Sequence, residues 1–497
     1  MVHMRQNRSS VAATGVGVLI TVLLAACGSS GGGAPATAPL QPPGLGDRDF
    51  PSGAAAPEVD ASEQPRSTFA IDVDTASYNF ARRQILDGRQ PDRDAIRPEE
   101  FVNALRQDYP QPAGDGFFVV ADGARPPRTH DAAGPVRLMR IGLQTRAESP
   151  LDRPDAALTF VIDVSGSMAE PGRLDLVQGA LHTLIDQLRD TDSVAIVAYE
   201  TRAKVLRPMT PVRSRSFLHG AIDELEAGGS TNLEEGLVTG YRVAREGFRR
   251  EATNRVILLS DGLANVGNTD ADPILEQIRE EAAKKISLLG VGVGSEYGDA
   301  LMERLADQGD GFVTYVSELA QARQLFVSRL PAALAVRALD AKVQVTFDPA
   351  TVDSYRLVGY ENRALDPSQF RNDRVDGGEV GPGHSVTALY VVTLREAGGD
   401  SLVAEARVRW LDPRTREARE TAARVTASAL TGDFEDASPR LRATYAAAYF
   451  AEVLRDSRYG KEVRLSDLAG IAEGAFRQTD DAQVGELADL IRRADRD

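Results

Sequence analysis

The sequence predicts an α/β fold: a doubly wound, mostly parallel sheet in the middle of the chain, flanked by a small N-terminal module and an α+β C-terminal domain. Between residues 158 and 330, segments that are apolar along their whole length alternate with amphipathic segments. Strands of this kind are buried on both faces, and the helices that connect parallel strands provide the cover. After residue 335 the apolar segments follow one another without helices between them, which predicts antiparallel pairing.

Changes in these patterns divide the 497 residues into five parts. A chain of this length usually holds roughly two to four domains, at about 100–200 residues each. The predicted parts are a signal peptide (residues 1–26), a linker rich in Gly, Pro and Ala (27–65), an N-terminal module (66–150), the doubly wound domain (151–335), and a β-rich, then helical, C-terminal domain (336–497).

The predicted elements follow in order within these parts. In the N-terminal module, strands are expected at 69–73, 119–120 and 136–143, and helices at 77–86 and from Arg97 to Tyr109. In the doubly wound domain, strands are expected at 158–163, 193–199, 255–260, 286–293 and 311–316, and helices at 173–189, 216–225, 233–248, 273–285, 299–306 and 318–330. In the C-terminal domain, strands are expected at 339–347, 354–360, 385–394, 402–411 and 422–427, and helices from Ser438, at 468–476 and at 484–491.

The N-terminus has the pattern of a signal peptide. A short basic start precedes an apolar run from Val11 to Ala26, which is too short for a comfortable membrane span. The run ends in Leu24-Ala25-Ala26-Cys27, and Cys27 is the only cysteine of the sequence. This ending resembles the lipobox of bacterial lipoproteins, which implies a lipidated Cys27 that holds the protein on the extracytoplasmic side of a cell membrane. An ordinary signal peptide with an incidental cysteine is the alternative.

The charge of the chain bears on its partners. The formal net charge is −16, and an acidic chain gains nothing from releasing the counterions of phosphates, so a nucleic-acid partner is not expected. Hydrophobic residues make up 42% of the chain and aromatic residues 6%, which is enough for ordinary folded cores.

Polar residues lie near the ends of two predicted strands and in one predicted loop. Asp163, Ser165 and Ser167 lie at the end of the first strand of the doubly wound domain, and Asp261 follows the strand at 255–260. Thr231 lies in a glycine-rich segment before a helix. Ligands of doubly wound sheets bind beyond the carboxyl ends of the strands, so these oxygens are expected to converge there. A set of oxygens suits a hard divalent cation, with Mg²⁺ expected and Mn²⁺ or Ca²⁺ as alternatives.

The charge balance of this set indicates what such a cation could do. Two aspartates neutralise a divalent ion, and the hydroxyls add no charge. If water separates the aspartates from the ion, the ion stays electrophilic at its open position. An Asp or Glu carboxylate from a protein partner could then complete the coordination.

The spacing Asp163-x-Ser165-x-Ser167, followed by Thr231 and Asp261, resembles the metal-ion-dependent adhesion site of von Willebrand factor type A domains. The resemblance covers roughly residues 158–330. It implies the strand order 3-2-1-4-5-6, direct metal contacts from the two serines and the threonine, and aspartate contacts that are direct or through water. Asp-x-Ser-x-Ser alone is a weak signal, whereas five matching residues on the expected elements are a strong one. A degenerate site that no longer binds metal is the alternative.

The flanking segments are similar to those of a bacterial subfamily of membrane-associated A-domain proteins, the YfbK-like lipoproteins. The matching stretches are Phe69 to Tyr78, Arg97 to Glu100, and the region from Leu339 onward. This similarity is moderately specific and says little about activity.

Motifs of enzymes are present only in part. Asp72-Val73-Asp74 resembles the start of a haloacid-dehalogenase-type phosphatase, but Ala76 stands where that motif needs Thr or Val, so helix capping and turn bonding are the expected role. The glycines at 290, 292 and 294 lack the spacing of a nucleotide-binding loop. Ser165 and Ser167 do not lie in a Gly-x-Ser-x-Gly elbow. The chain is therefore not expected to be an enzyme.

Three hypotheses about function remain. The first is a binding module that is anchored to the membrane and grips a protein through its metal. The second is a scaffold or assembly factor of the cell envelope that acts through its terminal domains. The third and weakest is a metal-dependent hydrolase.

Overall fold

The computed structural model describes residues 55–71, 73–127, 134–147, 153–261, 284–293, 312–316, 337–373, 375, 377–395, 399–413 and 415–495, and the single residues 274, 276, 280, 281 and 305. Several predicted features lie wholly or largely outside the described residues. They are the signal peptide, Cys27, most of the linker, Asp72 and the helices at 273–285, 299–306 and 318–330.

The described strands are numbered in chain order. They are β1 (Val59–Asp60), β2 (Arg66–Ala70), β3 (Phe117–Ala124), β4 (Val136–Thr145), β5 (Asp155–Asp163), β6 (Ser193–Tyr199), β7 (Ala203–Pro211), β8 (Ala252–Ser260), β9 (Ile286–Val293), β10 (Phe312–Val316), β11 (Leu339–Phe347), β12 (Val352–Val358), β13 (Ser385–Leu394), β14 (Leu402–Leu411) and β15 (Ala418–Thr426).

The described helices are numbered in the same way. They are α1 (Ala76–Leu86), α2 (Pro98–Asn103), α3 (Leu174–Gln187), α4 (Arg215–Asp223), α5 (Leu233–Glu246), α6 (Pro439–Leu454), α7 (Leu465–Thr479) and α8 (Ala482–Ala494). Among the residues that the structure describes, no helix is both long enough and apolar enough to cross a membrane.

The middle of the chain forms a six-stranded sheet in the order β10-β9-β8-β5-β6-β7. All neighbouring strands are parallel except β6 and β7, which are antiparallel. Numbered within the domain, this is the order 3-2-1-4-5-6 that the resemblance implied. The predicted fold class is therefore confirmed.

Alternating side chains of β5 explain why helices cover both faces of this sheet. Phe160 and Ile162 pack on one face with residues of α3 and α4, such as Leu181 and Leu218. Val161 points to the other face and packs in a cluster with α5. Both faces of the strand are apolar, so both must be covered.

Strand β7 was not predicted from the sequence. It is the antiparallel edge of the sheet, and most of its residues are half-buried or exposed. Pro208 and Pro211 also lie in this stretch, and proline is usual only at the edges of sheets. An edge strand of this kind lacks the continuous apolar run that identified its buried neighbours.

The segments before and after the doubly wound domain fold together. One sheet has the order β1-β12-β13-β4-β3 and the other β15-β14-β11-β2, so each contains strands from both segments. Phe69 pairs with Val343, and Leu143 pairs with Val386, in antiparallel register. The doubly wound domain is thus an insertion into a two-sheet sandwich, and the exact boundaries at 66, 151 and 336 stay predictions.

Helices cover the outer face of the five-stranded sheet. Leu389 of β13 packs with α2, α6, α7 and α8, whereas the next residue, Tyr390, points into the core between the two sheets. Helix α6 begins as predicted, because the Ser438 side chain accepts a hydrogen bond from the Leu441 amide and Pro439 occupies the first turn. Helix α2 ends at Asn103 and is shorter than the predicted helix from Arg97 to Tyr109.

A buried ionic cluster joins these helices to the sheet. Glu452 of α6 accepts hydrogen bonds from Arg356 of β12 at 3.0 Å and from Arg455 at 3.0 Å. Arg455 also contacts Glu361 at 3.1 Å. Burial alone would raise the pKa of Glu452, but the charges of Arg455 and Arg356 outweigh it and hold that pKa below its usual value. These four residues are called the Arg356–Glu452 cluster below.

Candidate metal centre

Parallel strands bring the predicted site residues to one edge of the sheet. Asp163 is the last residue of β5 and lies opposite Tyr199, the last residue of β6. On the other side of β5, Ile162 lies opposite Leu259, so β8 ends at the same edge with Ser260. Asp261 follows directly.

The chain leaves β5 in a tight loop that brings three oxygen donors together. The Ser165 amide donates to Asp163 Oδ1 at 2.8 Å. The hydroxyls of Ser165 and Ser167 are 3.1 Å apart. Ser167 Oγ donates to Asp261 Oδ1 at 2.9 Å, which joins the loop to the end of β8. Four of the five predicted ligands are therefore connected by one chain of hydrogen bonds.

Backbone hydrogen bonds hold the loop of Thr231 against this site. The Gly228 amide donates to the Val164 carbonyl at 2.8 Å, and the Gly166 amide donates to the Gly229 carbonyl at 3.1 Å. Gly229 has a φ of +74°, which strains any residue with a side chain, and a Cβ atom there would also displace the Glu200 carboxylate, whose Oε2 atom lies 1.6 Å away, so this turn favours glycine. Thr231 follows two residues later and is buried.

The environment of Asp163 leaves its charge poorly compensated. Its side chain is 0% exposed. Asp163 Oδ2 accepts from Ser260 Oγ at 2.8 Å and from the Tyr199 hydroxyl at 3.4 Å. Burial raises the pKa of Asp163, hydrogen bonds from Ser165 and Ser260 lower it in part, and the charge of Asp261 raises it further. A buried carboxylate in this position would be stabilised by a cation.

The five predicted ligands, Asp163, Ser165, Ser167, Thr231 and Asp261, are called the strand-end site below. Arg173 was not predicted as a site residue, but it directly contacts this site. One guanidinium nitrogen, Nη1, contacts Asp261 Oδ2 and donates to the Ser167 carbonyl at 3.2 Å. The second, Nη2, is 2.7 Å from Glu170 Oε2. The sequence placed Arg173 only at the start of a helix, and its basic character near the serine loop was the one available signal.

These donors fit a hard divalent cation. They are carboxylate and hydroxyl oxygens, which Mg²⁺, Mn²⁺ and Ca²⁺ prefer. Within the described part of the chain, no group of three or more His, Cys, Asp and Glu side chains is arranged to hold a metal ion. The hydroxyls of Ser165, Ser167 and Thr231 are therefore essential to any metal site built from these residues.

Asp74 and two histidines, His182 and His219, could in principle serve an enzyme, but each has structural contacts. Asp74 forms an ion pair with Arg363 at 3.5 Å, and it directly precedes Thr75, the N-cap residue of α1; its role in capping stays a prediction. His182 and His219 lie on α3 and α4, with their Nδ1 atoms 2.7 Å apart. His182 Nε2 lies 3.2 Å from Asp223, and His219 Nε2 lies 3.2 Å from Asp186. These contacts of the two rings are with each other and with aspartates, rather than with a serine as in a catalytic triad.

Fold and site together define a protein with a von Willebrand factor type A domain. The family of that description matches residues 157–327, and a family described as "von Willebrand factor" matches residues 46–132. Domains of this type commonly bind a divalent metal at the metal-ion-dependent adhesion site.

The chain belongs to the YfbK family. It is 32% identical over 464 residues to the "Uncharacterized protein YfbK" of Escherichia coli (strain K12), which covers 88% of this chain and 80% of the relative. Residues 332–496 match the family described as "Uncharacterized protein YfbK, C-terminal".

Three further proteins are similar over part of their length or at low sequence identity. The human inter-alpha-trypsin inhibitor heavy chain H3 is 31% identical over 174 residues, 32% of this chain and 19% of the relative. A von Willebrand factor type A structure from Catenulispora acidiphila has a TM-score of 0.44 and 17% identity, with 76% of this chain and 86% of that one covered. Proximal thread matrix protein 1 from the mussel byssus, solved with a zinc-occupied adhesion-site motif, has a TM-score of 0.32 and 17% identity, with 37% and 48% covered.

Proposed function

We propose that this protein is a membrane-anchored lipoprotein on the extracytoplasmic side of the cell, and that its A domain binds a protein partner through a divalent cation. The cation is held by Asp163, Ser165, Ser167, Thr231 and Asp261. It supplies an electrophilic position for an Asp or Glu carboxylate of the partner. Mg²⁺ is the cation expected from the oxygen donors.

The observation that carries this proposal is the hydrogen-bonded set of hydroxyl and carboxylate oxygens at the strand ends. Asp163 is buried at the base of the set, whereas Ser167 is exposed at its rim. Two carboxylates with three hydroxyls can bind a cation and still leave it accessible from solvent. This arrangement supports binding of a partner group at the surface.

A calorimetric titration of Mg²⁺ and Mn²⁺ into the full chain, purified in detergent, tests the metal site. We expect saturable binding in the wild type and none in Asp163→Ala or Thr231→Ala. Ser230→Ala is the matched control, because it removes the neighbouring hydroxyl of the same loop and should bind metal like the wild type. Equal binding in the wild type and in Asp163→Ala would place any bound metal elsewhere.

Capture of partners from envelope extracts tests the carboxylate mechanism. Partners that bind the wild type should be released by EDTA and should not bind Asp163→Ala. The scaffold hypothesis expects the same partners with all three samples. Deletion of residues 339–497 would not discriminate, because it removes the strands that pair with β1, β2 and β4.

The lipid anchor is tested separately at Cys27. Cys27→Ser should move the protein from the membrane fraction to the soluble fraction, and mass spectrometry of the wild type should find a lipid on an N-terminal Cys27. A wild-type protein that is soluble and unmodified would contradict the anchor while leaving the metal site untouched.

A further inference from the structure

Arg173 connects the two halves of the strand-end site. Its Nη1 atom contacts both the Asp261 carboxylate and the Ser167 carbonyl, and its own side chain is 8% exposed. The Asp261 side chain is 3% exposed, so this ion pair is shielded from water. Shielded pairs keep much more of their electrostatic interaction than surface pairs.

Arg173 changes the charge balance at the site. The two aspartates contribute −2, and Arg173 contributes +1 in direct contact with one of them. A divalent cation therefore leaves the centre with a net charge of +1 rather than zero. Glu170 offsets part of this charge only from the rim, because its side chain is 65% exposed and screened by solvent.

We propose that Arg173 sets the balance between the two ligands of this site: it weakens the binding of the cation and strengthens the binding of the incoming carboxylate. This inference rests on the proposed function. The guanidinium repels a divalent ion that shares Asp261, and it attracts an anion that approaches the bound ion. Arg173 also fixes the Ser167 loop to Asp261, so its positive charge is kept at a constant place.

The test measures the two affinities separately in the full chain. Mn²⁺ binding is titrated calorimetrically, and acetate binding to the Mn²⁺-loaded protein is followed by the loss of water-proton relaxation as acetate replaces bound water. Acetamide, which has the same shape without the charge, is the control ligand. In Arg173→Gln, Mn²⁺ affinity should rise by about tenfold and acetate affinity should fall by about tenfold, because one shielded positive charge is lost.

Two further variants keep the proposal open to contradiction if Arg173→Gln folds poorly. Arg173→Lys retains the charge and should stay within about threefold of the wild type for both ligands, since Lys loses only the forked contacts. Glu170→Gln lies on the surface and removes a negative charge beside Arg173. It should shift both affinities by about twofold in the direction opposite to Arg173→Gln, a small change because the site is screened.

The outcomes separate this inference from the proposed function. Opposite shifts of Mn²⁺ and acetate affinity support the role of Arg173. Parallel losses of both affinities would assign Arg173 a structural role only, and unchanged affinities would assign it none; either result overturns the inference while the metal site stands. If the wild type does not bind Mn²⁺, the proposed function fails, and this inference fails with it.

Discussion

Glu452, in the layer of helices, lies between two arginines, whereas Asp163, at the edge of the doubly wound sheet, lies near a second aspartate and accepts its hydrogen bonds from hydroxyl and amide groups. Both carboxylates are fully buried. The pKa of Glu452 is lowered because Arg455 and Arg356 outweigh its burial, and the pKa of Asp163 is raised because burial outweighs its hydrogen bonds. The fold itself supplies the countercharge for the first carboxylate, and under the proposed function a bound cation supplies it for the second.

This difference indicates how buried charge divides between structure and function. The Arg356–Glu452 cluster has two positive and two negative side chains in contact, so it is neutral and complete. The strand-end site keeps an excess of oxygens and negative charge, which costs stability and is retained where binding requires it. Three predictions can break or sharpen this comparison.

The largest effect is expected for Glu452→Gln. The substitution leaves Arg356 buried without its anion, whereas Arg455 keeps its contact with Glu361. Breaking a buried pair by removing one partner costs about 3–5 kcal/mol of the free energy of unfolding. Urea denaturation followed by circular dichroism measures the loss. Glu473→Gln is the matched control: its ion pair with Arg492 is exposed at the surface, so a loss of about 0–1 kcal/mol is expected. Equal losses in the two variants would mean that burial of the cluster adds nothing.

Acidification should weaken the same cluster. The folded-state pKa of Glu452 lies below its ordinary value of 4.5, so its contribution to stability is fully present above that value and is lost as the pH falls through the folded-state pKa. The melting temperature of the wild type should therefore decline more steeply below about pH 4.5 than that of Glu452→Gln. Parallel curves for the two proteins would contradict this assignment.

The smallest effect on stability is expected for Asp163→Asn. The change preserves the shape of the side chain and removes the repulsion between Asp163 and Asp261, so the metal-free protein should gain up to about 1 kcal/mol of unfolding free energy. Denaturation in EDTA tests this, and addition of Mg²⁺ should then stabilise the wild type but not the variant. A loss in EDTA as large as that of Glu452→Gln would show that Asp163 is a structural residue.

The doubly wound domain could largely be predicted because its signals are local. Each buried strand is a continuous apolar run, and most of its predicted bounds lie within a few residues of the observed ones. The site residues Asp163 and Asp261 follow from the rule that parallel strands end at one edge. Strand β7 escaped prediction because it is an exposed edge strand with no comparable run.

The sandwich and Arg173 could not be predicted because their partners are distant in sequence. The strands at 339–347, 385–394 and 402–411 were located, but nothing local indicates that they pair with strands that precede the inserted domain. Arg173 contacts a residue 88 positions away, and a single arginine carries no pattern that identifies such a contact. Pairing between remote segments is a property of the folded chain and leaves little trace in periodicity.

The interleaved sandwich also constrains the order in which this protein folds. The Gln344 side chain contacts Thr68, 276 residues earlier in the chain, so the two sheets cannot be completed until the C-terminal strands have been synthesised. The inserted domain has mostly local connections and can fold first, and once folded it shortens the loop that must close between β4 and β11. Until then β2 and β4 have unpaired edges, which are prone to aggregation. Strand β2, among the first to be made, is therefore among the last to be paired, and β4, which can pair early with β3, keeps one edge open until β13 arrives.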